Sequence, residues 1–91
     1  MQHIDLKKRK IMLDALARVV AKLRVETNKS QRLLAFDYGL HKSLVNRIEN
    51  ALSEPLLFSF MMLAEILEIT YTELMELFVQ ELPEGFSILE K

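Results

Sequence analysis

Apolar residues recur every three to four positions along most of this chain, and that spacing predicts five helices. In the first, from about Asp5 to Glu26, Leu13, Leu16, Val20 and Leu23 share a face, with Ala17 filling between them. Asp5 can cap its start. Thr27-Asn28 can end it, because asparagine tolerates the left-handed conformation that closes helices. A short second helix is expected from Ser30, an N-capping type, to about Tyr38. Leu34, Ala35 and Tyr38 form its apolar face, and Gly39 then supplies the positive φ of a tight turn. The third runs from about His41 to Asn50, with Leu44, Val45, Ile48 and Leu52 facing inward. Its polar positions Lys42, Ser43, Asn46 and Arg47 stand at i, i+1, i+4 and i+5, which is one outward stripe.

The same reading places a fourth helix from Pro55 to about Glu68, with Leu57, Phe60, Met61, Ala64 and Leu67 as its core stripe. Thr70-Tyr71-Thr72-Glu73 is a capping box at the start of a fifth, and Ile69 and Leu74 are placed as its hydrophobic staple. This helix is expected to end near Val79. The tail, residues 80–91, is apolar from Leu82 to Leu89 and is expected to dock on the domain or to pair with a second copy. The expectation is one all-α domain: a compact five-helix body over residues 1–79, followed by a short tail.

Composition agrees with helix. Among 91 residues there are only two glycines and two prolines, and breakers this sparse leave long segments uninterrupted. The near-neutral total hides a polarised chain. Residues 1–50 carry 11 Lys and Arg against 5 Asp and Glu, a net of +6, and residues 51–91 carry 1 Lys against 8 Glu, a net of −7. Such asymmetry suggests a basic surface for a polyanion and an acidic part facing away. The chain has no cysteine, so disulfides and thiolate metal sites are excluded. His3 and His41 have no partners at metal-ligand spacing. No nucleophile–base pattern and no glycine-rich phosphate loop is present, so neither an enzyme nor a cofactor is expected. Lys7-Lys8-Arg9-Lys10 followed by Ile11-Met12-Leu13 has the start of a leader peptide, but Asp14 and Arg18 interrupt the apolar stretch. No run approaches the ~18 apolar residues of a spanning helix. A soluble cytoplasmic protein is the expectation.

Two short helices joined by a tight turn with one glycine read as a helix-turn-helix, whose second helix enters the major groove of DNA. The polar stripe has suitable chemistry. Arg47 can bond guanine bidentately, Asn46 can pair with adenine, Lys42 can reach guanine or a phosphate, and Ser43 can bond several base edges. Gln31, at the start of the preceding helix, sits where a side chain and the helix N-terminus can both grip a phosphate. A solvated polar face would share the spacing, since helix-turn-helix shapes also occur without DNA.

From Arg24 to Leu74 the chain resembles the Cro/lambda-repressor (xenobiotic-response-element) type of helix-turn-helix domain. The resemblance rests on Leu23-Arg24, Ser30-Gln31, Leu34-Ala35, Gly39, Arg47-Ile48-Glu49-Asn50, Pro55, Leu63-Ala64, Leu67, and Ile69-Thr70 with Glu73-Leu74. It implies DNA contacts at Gln31, Lys42, Ser43, Asn46, Arg47 and around Asn50. It also implies an ion pair between Arg24 and Glu49 that ties the first helix to the reading helix. Three departures matter. His41 replaces a capping Ser or Thr, Lys29 replaces an apolar residue before Ser30, and Ala51 replaces the glycine after Glu-Asn, so that turn is expected to take another conformation. Leu44 stands at an often polar position.

Two further features carry expectations. The Lys7–Lys10 run is expected to be an exposed turn opening the first helix, the alternative being an arm around the duplex. Leu52, Leu56, Phe58, Met62 and Ile66 fall largely at positions that are polar in the family, and Phe58, Met62 and Ile66, at i, i+4 and i+8, suggest a second apolar stripe for a partner; the expectation is that the Phe86–Leu89 tail, with Phe86 and Ile88, packs on it and helps form a homodimer. The function these features imply is sequence-specific binding of double-stranded DNA by a homodimeric transcriptional regulator. The alternative is an interaction module, such as the antitoxin of a toxin–antitoxin pair, whose acidic late half binds a partner protein.

Overall fold

The computed structural model describes residues 6–27 and 42–89, and at 42–45 the backbone alone. Within them the chain is all helical: α1 (Leu6–Glu26), α2 (Lys42–Glu49), α3 (Leu57–Ile66) and α4 (Tyr71–Gln80). The helix expected from Ser30 to Tyr38, with Gln31, Gly39 and His41, lies outside the described residues.

α1 supplies the most core. Leu13, Leu16, Ala17, Val20 and Leu23 are buried, as their spacing predicts, and Ala15 and Val19 are buried as well. The last two lie beyond the single stripe read from the sequence, so α1 is covered on a broader arc than one helix face. Its Leu16, Val19, Val20 and Leu23 meet Ile48 of α2, Leu63, Ala64 and Ile66 of α3 with Leu67 just after it, and Leu74 of α4. Lys7 to Lys10 are helical, so the basic run is the first turn of α1 rather than an arm. Its cations are engaged within the fold: Lys8 Nζ donates to the Ile88 carbonyl at 3.3 Å, Lys10 pairs with Asp14 at 3.1 Å, and Arg9 stands 3.5 Å from Glu54.

α3 departs from expectation twice. It begins at Leu57, not Pro55, because Leu56 is extended and the first helical bond runs from the Phe60 amide to the Leu56 carbonyl. Its buried face is also rotated. Leu63, Ala64, Ile66 and Leu67 are buried and Phe60 packs against them, while Leu57 is exposed and Met61 half-buried. The segment Leu57–Ile66 is apolar at almost every position, so its period marks no unique face. For the same reason Phe58, Met62 and Ile66 do not form one outward stripe. Phe58 is exposed, Met62 packs against the core and Ile66 is inside it. Each i+4 step turns about 40° around a helix of 3.6 residues per turn, and two steps carry the row from solvent into the core.

α4 starts as its sequence dictates. The Thr70 hydroxyl accepts from the Glu73 amide at 3.0 Å and the Glu73 carboxylate accepts from the Thr70 amide at 3.3 Å. Leu74 is fully buried and Ile69 packs against the same core, the two halves of the staple. At the other end, Arg18 of α1 donates to the Glu81 carboxylate at 2.8 Å and to the Glu81 carbonyl at 3.2 Å. A cation there complements the negative end of the α4 dipole. Beyond it the Phe86 amide bonds the Pro83 carbonyl at 3.0 Å, closing a turn in which Gly85 takes a φ of +74°. Positive φ at a turn's third residue is what glycine supplies without strain. The tail thus returns to the first turns of α1, where Lys8 holds Ile88. It leaves Phe58 exposed, and Ile88 is itself exposed, so the tail does not cover the Phe58 end of that stripe.

Two helices end in the same way on unusual residues. After α2, the Ala51 amide bonds the Ile48 carbonyl and the Leu52 amide bonds the Arg47 carbonyl. After α3, the Glu68 amide bonds Glu65 and the Ile69 amide bonds Ala64. Both are Schellman closures, which need a left-handed residue and favour glycine. Here Ala51 has a φ of 58° and Glu68 a φ of 63°. The turn at Ala51 therefore keeps the left-handed conformation that a glycine would give, contrary to expectation. A left-handed residue with a Cβ is strained by about 1–2 kcal/mol, partly offset in glycine by its greater chain entropy. Ala51→Gly and Glu68→Gly should each raise stability by about 0.5–1 kcal/mol. Urea unfolding followed by circular dichroism measures this, and a loss of stability in both variants would refute the reading.

Candidate nucleic-acid interface

α2 is eight residues long, or about 12 Å at 1.5 Å per residue. Ile48 anchors it in the core at 1% exposure. The neighbouring Asn46 and Arg47 face outward and are exposed. One buried apolar position beside two exposed polar ones orients the helix, so its solvent face is the face carrying the side chains that can read bases.

The orientation is locked by Arg24. Its Nε donates to Glu49 Oε2 at 2.7 Å and a terminal nitrogen donates to Glu49 Oε1 at 2.9 Å, a bidentate pair. The Arg24 side chain is 21% exposed and that of Glu49 6%. The hydrogen bond to Glu49 raises the Arg24 guanidinium above its ordinary pKa, outweighing the desolvation that opposes it, and the carboxylate's charge adds to the rise. The last turn of α1 is thereby fastened to the last residue of α2. Thr27, whose hydroxyl donates to the Arg24 carbonyl at 3.0 Å, closes α1 beside the pair.

Arg47 is placed by a contact that sequence spacing did not reveal. Its Nε donates to Ser53 Oγ at 2.7 Å, and a terminal nitrogen reaches the Leu52 carbonyl at 3.4 Å. The Schellman turn folds the chain back and brings a residue six positions on beneath the guanidinium. Asn50 donates through Nδ2 to the Asn46 carbonyl at 2.8 Å, capping the end of α2. Asn50 is therefore engaged with the helix end as well as exposed. Asn46, Arg47 and Asn50 lie together on one side of α2. Lys42 and Ser43 belong to the same helix, one turn earlier. Gln31 is outside the described residues.

Set against known proteins, residues 20–74 match the model of the helix-turn-helix family. The chain belongs to that family, in its Cro/lambda-repressor-like, xenobiotic-response-element branch. The match spans the end of α1, all of α2 and α3, and α4 as far as its staple residue Leu74. It is a family of DNA-binding transcription regulators. Searches of the curated proteins and of the solved structures return no match. Among the described residues, no helix is long and apolar enough to cross a membrane, and no group of three His, Cys, Asp or Glu is placed to hold a metal ion.

Breaking the Arg24–Glu49 pair leaves a carboxylate in a nearly closed setting without its counter-charge. Arg24→Ala should cost on the order of 3 kcal/mol, read as a shift of the urea midpoint. If the variant unfolds at the midpoint of the parent, the pair has no architectural role.

Proposed function

We propose that this protein is a transcriptional regulator that binds specific double-stranded DNA sequences as a homodimer, with α2 lying in the major groove. The supporting observation is the exposure of Asn46 and Arg47 on a helix that lies within the residues matched to the helix-turn-helix family. A helix of this width fits the major groove, about 12 Å across. Arg47 reads a guanine edge and Asn46 an adenine edge, while Lys42 and Ser43 reach bases or phosphate from the preceding turn. Gln31 and the Asn50 region hold the backbone. In the free protein the Ser53 hydroxyl restrains Arg47 near the end of α2, which lowers the entropy lost when the guanidinium meets a base.

The two-fold contact is assigned to the part of the expected surface that stays exposed, Leu52, Leu56 and Phe58, and not to Met62 and Ile66. Leu52, expected to face inward, is 57% exposed because the Schellman turn carries it off the end of α2, and Leu56 and Phe58 are 79% and 76% exposed; all three follow α2 directly in the chain. Contiguous exposed apolar residues mark an interaction surface. Pairing there about a two-fold axis sets two α2 helices side by side, as reading two half-sites about 34 Å apart requires.

Selection of bound sites from a random duplex library at physiological salt should return a palindrome with half-sites about 10 base pairs apart. Arg47→Ala should then lose about 1–3 kcal/mol of discrimination at one base pair per half-site, measured by competition binding. A folded protein that enriches no sequence would overturn the DNA-reading proposal. For the dimer, light scattering at micromolar concentration should give twice the chain mass, and Phe58→Glu should halve it. A parent that scatters as a monomer, free and on its operator, would refute the two-fold contact.

A further inference from the structure

Between α3 and α4 lies a groove of about 650 Å³ that the DNA-reading face does not use. Leu57, Phe60 and Met61 form one wall and Tyr71, Met75 and Val79 the other, with Glu76 at its edge. The α4 residues stand at i, i+4 and i+8, so the apolar strip runs about 12 Å along the helix. It is exposed at the positions that matter: Met75 is 46% and Val79 53% accessible. The groove also shares Phe60 and Met75 with a smaller cavity of about 140 Å³ beside Met12 and Leu16 of α1. Two methionines in an otherwise firm wall give it an adaptable lining. Tyr71 is steadied by its hydroxyl, which donates to Glu65 Oε2 at 2.8 Å.

Glu76 is the one charged residue that lines the groove, Glu65 is held at its Tyr71 side, and the adjoining smaller cavity is lined by the paired Arg9 and Glu54. α3 and α4 carry Glu65, Glu68, Glu73 and Glu76 on or beside them, and Glu81 and Glu84 follow. No Lys or Arg occurs anywhere from Ala51 to Leu89. Of these acids, Glu81 is neutralised within the fold, by Arg18. A second copy seated here about a two-fold axis would set each groove's glutamates against their own duplicates, and like charges at close range are unfavourable. In the chain's own basic turn, Lys8, Arg9 and Lys10 are already engaged with Ile88, Glu54 and Asp14. An anionic lipid surface would be repelled.

We propose that the α3–α4 groove is a docking site for a basic amphipathic helix of another protein. Apolar side chains at i, i+3 or i+4, and i+7 of that helix fill the strip, and its flanking Lys and Arg meet Glu76 and the other acids carried by α3 and α4. A helix laid in an apolar groove is an established mode of recognition. Here it leaves α2 free, so the partner and DNA can be held together.

Two synthetic peptides test this, each an 18-residue helix-forming sequence with leucines at that spacing. In one the remaining positions are mostly lysine, and in the other mostly glutamate. Binding is followed by fluorescence anisotropy and by the methionine methyl signals of the full chain. The lysine peptide should bind at least tenfold more tightly than the glutamate peptide, with the largest shifts at Met61 and Met75. Met75→Lys and Val79→Lys, both at exposed positions, should abolish that binding. Glu76→Lys should weaken it severalfold. All three variants should keep the helical spectrum and, measured on the same samples, the DNA affinity of the parent. Equal binding of the two peptides, shifts centred away from Met61 and Met75, or retention of binding in the lysine variants would overturn the proposal. So would a parent dimer that Met75→Lys converts to monomer, since the occupant would then be a second copy. Loss of DNA binding by the parent itself would bear on the DNA-reading proposal and leave this one standing.

Discussion

The bidentate pairing of Arg24 with Glu49 is the constraint on which the geometry of the exposed face of α2 depends. α2 is too short to be stable alone, since isolated helices of fewer than about 12 residues are marginal in water. It contributes one fully buried side chain among the described residues whose side chains are placed, Ile48. One apolar anchor fixes a short helix at a point but leaves it free to swivel. The planar guanidinium adds a second anchor with direction, because both its bonds must be satisfied at once. With Ile48 in the core and Glu49 clamped, Asn46 and Arg47 are turned to solvent by the pitch of the helix alone.

The rest of the fold serves that clamp. α1 is long enough to meet α2, α3 and α4 at once, so its position decides theirs. Leu23, one residue before Arg24, lies in the same cluster as Ile48 and Leu63, which keeps the pair close to a dry core. Low dielectric there strengthens the pair but also raises the cost of leaving either partner alone. At the far side, Arg18 bonds the end of α4. Two arginines six residues apart on α1 thus hold the ends of two different helices, one beside the core and one at the surface. By burial alone the inner contact matters more, since exposed ion pairs contribute little.

The molecule also divides its labour by charge. Nearly all the basic residues fall in the half that contains α2, and the acidic excess falls in the half that contains α3, α4 and the turns after them. Negative charge on that half disfavours its approach to a polyanion. It also gives the α3–α4 groove a chemical preference that its apolar lining alone would not have.

What the sequence by itself determined was whatever depends on near neighbours in the chain. The Thr70–Glu73 capping box, the Ile69–Leu74 staple and the buried stripe of α1 were all legible, because each is set by spacings of a few residues and by side-chain type. The family pattern made the Arg24–Glu49 contact legible across 25 positions, which spacing alone would not have done. Tertiary structure decided the remainder. It chose which face of the uniformly apolar α3 is buried, sending Ile66 inward and leaving Leu57 and Phe58 out, because periodicity is silent where nearly every position is apolar. It forced Ala51 and Glu68 into the left-handed region, since closing two helices at those points outweighed the local strain. And it brought Ser53 under Arg47 through a chain reversal, a meeting that arises only when the turn, the core and α2 are all in place.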